Sequence, residues 1–151
     1  MKVASRFMLP VELLLGWLLI VSAVVGGFGR GPLYASLMQR GENLSWFVVF
    51  FGIGTLQAGI AMWEWTSLRS AADDYLLQVA KVRSSLAFIA GMAWICAMAW
   101  LIVDGMARSS MMFVLVAPVA TAFNAWAFAE NQKVTYALDP QHATTRLQFH
   151  R

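Results

Sequence analysis

The chain has 151 residues, 60% of them hydrophobic and only 13% charged, with a formal net charge of +3. That balance lies outside the range of soluble domains and leaves no room for a separate soluble one. So small a positive charge, with no run of Lys and Arg mixed with aromatics, gives no basis for nucleic-acid binding.

The charges are also clustered. Leu13–Gly29, Leu44–Trp63, Ser84–Val103 and Ser109–Ala129 are nearly free of them. Windows of ~17–21 residues, at ~1.5 Å per residue, reach across a hydrocarbon core of ~30 Å. The pattern predicts one all-α integral membrane domain over 1–151. Its four transmembrane helices fall at about 9–29, 44–65, 82–103 and 109–131, and 132–151 form a short cytoplasmic tail. Membrane lipid is then the first partner.

Lys2 and Arg6 precede the first apolar run, as in a signal peptide. The run lacks a clear small-x-small cleavage site, so it reads as a retained first span. Pro10 suits a first helical turn, and Glu12 two residues on suits the positive end of the helix dipole. Glu12 is the candidate ionisable membrane site, a proton or cation position just inside the bilayer. The plainer alternative is a helix-terminus carboxylate at headgroup level. Ser22, Ala23, Gly26 and Gly27 give the far half of this span a narrow face. Pro32 can then open a short interfacial helix over 33–39, with Arg40 and Glu42 facing water.

The second span is framed by Trp46 at one end and by Trp63 and Trp65 at the other, as interfacial aromatics are. Inside it, Gly54 and Ala58 lie four residues apart, a spacing that lets helix backbones approach closely. Gln57 beside them needs a partner in hydrocarbon, and Asn124 and Thr121 lie at similar depth.

Ser70 and Asp73 have the shape of a helix cap. No Gly or Pro follows until Gly91, which predicts that the third helix starts in water at about residue 71 and continues into the bilayer. Ala87 with Gly91, and Ala93 with Ala97, are its small positions. Cys96, the single cysteine, reads as a small buried hydrophobe. Asp104 to Arg108 form a tight turn into the fourth span. There Ala117, Thr121, Ala125 and Ala129 recur every four residues as a face of little bulk, with Asn124 beside it. Pro118 leaves the carbonyl of Val114 without its helical donor.

With four spans both termini share a side. Lys2, Arg6, Arg69, Lys81, Arg83, Lys133, Arg146 and Arg151 lie on it, against Arg30, Arg40 and Arg108 on the other, eight cations to three. By the positive-inside rule both termini are cytoplasmic and the protein is a multi-pass inner-membrane protein.

No catalytic motif emerges, and no cofactor or metal is implied. His142 and His150 both fall in the tail, with no histidine in a span to ligate haem or metal. Neither a Gly-rich nucleotide loop nor a Ser-His-Asp order is present. The expectation is a non-enzymatic protein acting by helix–helix association, as an accessory or structural subunit of a membrane complex or as a homo-oligomer. Gly54, Gln57, Ala58, Ala117, Thr121, Asn124 and Ala125 are its packing and interhelical polar residues. Two alternatives stand beside it. One is an oligomeric, holin-like pore lined by Gln57, Thr121 and Asn124. The other is a small transporter using Glu12.

Overall fold

A computed structural model describes residues 2–28, 43–67, 73–103 and 111–138. Four α-helices make up the described residues: α1 (Lys2–Phe28), α2 (Asn43–Ser67), α3 (Asp73–Val103) and α4 (Met111–Leu138). α1, α2 and α3 each contain a segment long and apolar enough to cross a membrane, at Met8–Val25, Ser45–Thr66 and Tyr75–Val103.

Two boundaries differ from the sequence expectation and one lies close to it. α1 begins at Lys2, so Pro10 lies inside the helix and not in its first turn. Residues 3–8 contain no helix breaker, and an interior proline, which gives up the bond to the carbonyl four residues back and crowds it, is tolerated in an apolar helix packed against neighbours. α3 runs unbroken from Asp73, close to the start expected at about residue 71. α4 continues to Leu138, so the first part of the expected tail is helical. The expected helix at 33–39 and the Asp104–Arg108 turn fall outside the described residues.

The helices alternate in direction. Gly16 meets Ala58 while Ile20 meets Gly54, which makes α1 and α2 antiparallel. Phe88 packs on Phe128 and Gly91 on Asn124, which makes α3 and α4 antiparallel. α1 packs chiefly on α2, and α3 on α4, so the bundle is built of two hairpins. Its apolar core draws on every helix: Leu15, Leu19 and Ala23, then Phe50, then Ala90, Trp94 and Ala97, then Ala117 and Ala120.

The α1–α2 hairpin is held at near backbone contact. A Cβ built on Gly54 would stand 2.7 Å from the Gly16 carbonyl oxygen, and one on Gly16 would stand 2.7 Å from the Ala58 amide nitrogen. Only glycine fits on either side. The other glycines of α2, Gly52 and Gly59, face open space, so the two glycine faces have different work.

That contrast yields a paired test. Gly54→Ala should destabilise the protein by at least the ~1–3 kcal/mol typical of overpacking. Gly59→Ala should be neutral or slightly stabilising, because alanine is the better helix former. Equal unfolding midpoints for both variants in a denaturing-detergent titration would contradict the close approach.

Candidate functional site

Polarity in this bundle is inverted relative to a water-soluble one. Glu12, Gln57, Glu64, Arg83, Ser84, Asn124 and Asn131 are buried, while Leu14, Trp17, Leu56, Phe88 and Ile102 are exposed. The buried polar groups form two layers.

The first layer joins all four helices. Arg83 on α3 is 3% exposed and lies between Glu12 on α1 at 2% and Glu64 on α2 at 3%. Its Nε donates to Glu12 Oε2 at 2.7 Å and its Nη2 to Glu12 Oε1 at 2.9 Å, a bidentate fork. Its Nη1 donates to Glu64 Oε2 at 2.7 Å. Asn131 on α4 donates its amide to Glu12 Oε1 at 2.7 Å. Next to this layer, Gln132 donates to the Ser84 hydroxyl at 3.1 Å.

The second layer lies about two helical turns deeper, since Gln57 precedes Glu64 by ~10 Å of helix. Gln57 Nε2 donates to Asn124 Oδ1 at 3.0 Å, and Asn124 Nδ2 to the Ala120 carbonyl at 2.9 Å. The remaining Gln57 oxygen, Oε1, is buried and accepts no hydrogen bond from the described residues.

Beyond this pair the bundle turns aromatic. Trp46 packs on Phe50 with ring centroids 5.1 Å apart and on Trp100 at 5.8 Å, and Phe50 meets Trp94 edge-on at 5.7 Å. At the opposite end, level with the ionic layer, Trp63 and Trp65 are exposed. Trp63 donates to the Tyr75 hydroxyl at 2.7 Å.

Several expectations take a definite place here. Gln57 and Asn124 are bonded to each other inside the protomer, while Thr121 is half-buried. Gly54 and Ala58 are buried against α1. The expected Ala117–Ala129 face is not one face: Ala117 is buried, whereas Ala125 and Ala129 are exposed. Four residues turn a helix by about 40° more than a full circle, so a four-residue stripe drifts round the axis. The inward line of α4 is Ala117, Ala120, Asn124, Ala127 and Asn131, alternating three and four. Cys96, read as buried, is exposed.

The main correction concerns the charges. Glu12 is not a solvated carboxylate at a helix terminus but a bidentate acceptor inside the bundle. Arg83, which the sequence places among the flanking cations, is its partner, and Glu64 and Asn131 complete the cluster without any motif that marks them. The signal was available in the antiparallel register. If Gly16 faces Ala58, then Glu12 one turn earlier falls near Glu64, and a cation at that level is needed.

Among the described residues no group of three or more His, Cys, Asp or Glu is placed to hold a metal ion. The chain matches no protein-family model, no curated protein and no solved structure.

Removing one member of a buried ion pair leaves its partner charged and dry, which typically costs ~3–5 kcal/mol. Arg83→Ala should therefore lower stability by an amount of that order. The exposed Lys133–Glu130 pair on α4 is worth at most ~1 kcal/mol, so Lys133→Ala should change little. Thermal melts in mild detergent compare the two, and similar shifts would show that the Arg83 cluster is solvated.

Proposed function

We propose that this is a non-enzymatic, multi-pass integral membrane protein that acts by helix–helix association, as an accessory or structural subunit of a membrane complex or as a homo-oligomer. The observation that carries it is the inverted polarity. Large apolar side chains cover the outside of all four helices, while the polar groups inside the bundle bond to one another. Such a surface is stable in lipid and not in water. α4 is then the fourth span, antiparallel to α3, and both termini lie on one side. Burying Arg83 reduces the count of cations flanking the membrane on that side from eight to seven, against three on the other. The balance still favours cytoplasmic termini in an inner membrane.

Association is supported by where the outward small residues fall. Ala122, Ala125 and Ala129 on α4 lie exposed on one stripe, and Gly52 and Gly59 on α2 face open space. These positions are not used within the protomer, and close helix contact requires residues of that size. The pore reading gains less support, because Gln57 and Asn124 are turned toward each other and not toward a lumen between protomers.

Ala125→Leu adds bulk outside the protomer only. It should shift the protein toward a smaller species in analytical ultracentrifugation in mild detergent, with the melting temperature unchanged. A wild-type protein that is strictly monomeric and co-purifies with no membrane partner would rule association out.

The buried ionic layer favours a second reading, a small transporter using Glu12, because ionisable groups held inside a bilayer commonly mark ion paths. Glu12→Gln in proteoliposomes should then abolish pH-dependent uptake, with Glu64 still paired to Arg83 and the helical circular-dichroism spectrum retained at a lower melting temperature. Uptake that is absent in the wild type removes this reading.

A further inference from the structure

The contacts within each hairpin are mainly apolar, whereas every charged contact described in the bundle interior runs between hairpins. Within α1–α2 the backbones touch at Gly16, Gly54 and Ala58, and nothing polar is needed to hold them. Within α3–α4, Phe88 meets Phe128, Gly91 meets the Asn124 Cβ, and one polar bond, Gln132 to Ser84, joins the two helices. Between the hairpins the bonds are polar at one end and aromatic at the other. Arg83 with Glu12 and Glu64, Asn131 with Glu12, and Gln57 with Asn124 all cross the seam. So do Phe50 with Trp94 and Trp46 with Trp100 at the far end.

We propose that the two hairpins are rigid halves that part along this seam at the Arg83 end, with the aromatic cluster as the hinge and the Glu12–Arg83–Glu64 cluster as the latch. The close-packed backbones of α1–α2 and the long apolar packing of α3 on α4 have no partner to exchange for, so each hairpin stays intact. Charged side chains do have one, because exposed Lys81 and Lys133 lie within a turn of Arg83 and Asn131 and place the latch near the aqueous boundary. Water entering there replaces each hydrogen bond that is given up. It also reaches Gln57 Oε1, the acceptor that the described residues leave unsatisfied. The contacts beyond Gln57 are ring on ring, Phe50 on Trp94 and Trp46 on Phe50 and Trp100, and water cannot replace contacts of that kind, so the opening ends at the Phe50–Trp94 contact. The seam is thus a one-ended gate to the middle of the bundle, whether or not the protein associates with others.

The test uses spin labels on full-length protein in nanodiscs, in a Cys96→Ser background. One pair is placed at Met62 and Val82, exposed on α2 and α3 near the latch. The other is placed at Val48 and Val103, exposed near the aromatic end. Arg83→Gln should lengthen and broaden the Met62–Val82 distance distribution and leave Val48–Val103 unchanged. Glu64→Gln, which keeps the bidentate Glu12–Arg83 fork, should give a smaller change of the same sign and serves if Arg83→Gln does not accumulate. A second measurement follows water directly. Ala61→Cys, buried between Gln57 and Glu64 on the same face of α2, should react with a membrane-impermeant thiol reagent at least tenfold faster when Arg83 is replaced. Distances that change equally at both ends, or at neither, with Ala61→Cys equally protected, would overturn the gate.

Discussion

The register of one hairpin against the other depends on the fork of Arg83. A guanidinium presents its donors in one plane at fixed angles, so satisfying three of them with two carboxylates fixes the height and rotation of three helices at once. Nε and Nη2 align α3 with α1 through Glu12, and Nη1 aligns it with α2 through Glu64. Asn131 ties α4 to the same carboxylate. A lysine at this position would offer a point charge without those angles, and two carboxylates could then face it in many ways. In an apolar surrounding the alternative to the correct geometry is an unpaired buried charge, so the penalty for wrong register is steep.

Small residues and polar residues divide the remaining work. Where two helices are already neighbours in sequence, as α1 and α2 are, glycine lets the backbones close up, and dispersion across the whole length holds them. Where hairpin must find hairpin, dispersion between smooth apolar surfaces is nearly the same in many registers. Hydrogen bonds resolve the choice because each has a single correct partner. The Gln57–Asn124 bond joins α2 to α4 and the Arg83 fork joins α3 to α1, so the two bonds connect elements that are not sequence neighbours.

How much of this was legible in the sequence depends on whether depth could be counted. The helices could be read because charge-free windows mark them, and Asn124 was a candidate partner for Gln57 because both lie near the middle of theirs. The unbroken α3 was visible in the absence of Gly and Pro before Gly91. The ionic layer was hidden for a physical reason: each of its charges sits near an end of an apolar run, where a solvated headgroup residue would also sit. Trp63 and Trp65 around Glu64 strengthen that impression, yet they point outward while Glu64 points in. Which way a side chain faces at an interface is decided by rotation about the helix axis, and windowed hydropathy does not carry rotation. The α4 stripe failed for the same reason, since Ala125 shares a spacing with Ala117 but not an azimuth.

The polarity is also graded along the bundle axis, with charges near one end, amides in the middle and aromatic rings at the other end. In the proposed membrane setting the cost of a buried charge rises toward the bilayer centre, so ionic contacts suit the boundary, while an amide pair is the most that the middle readily holds. That gradient makes the two ends unequal. At the charged end, water can stand in for every contact that is lost. At the aromatic end the ring-on-ring contacts have no such substitute. A bundle built this way is therefore stiff where it is apolar and yielding where it is ionic, and the interaction that sets its register is also the one that solvent can most easily replace.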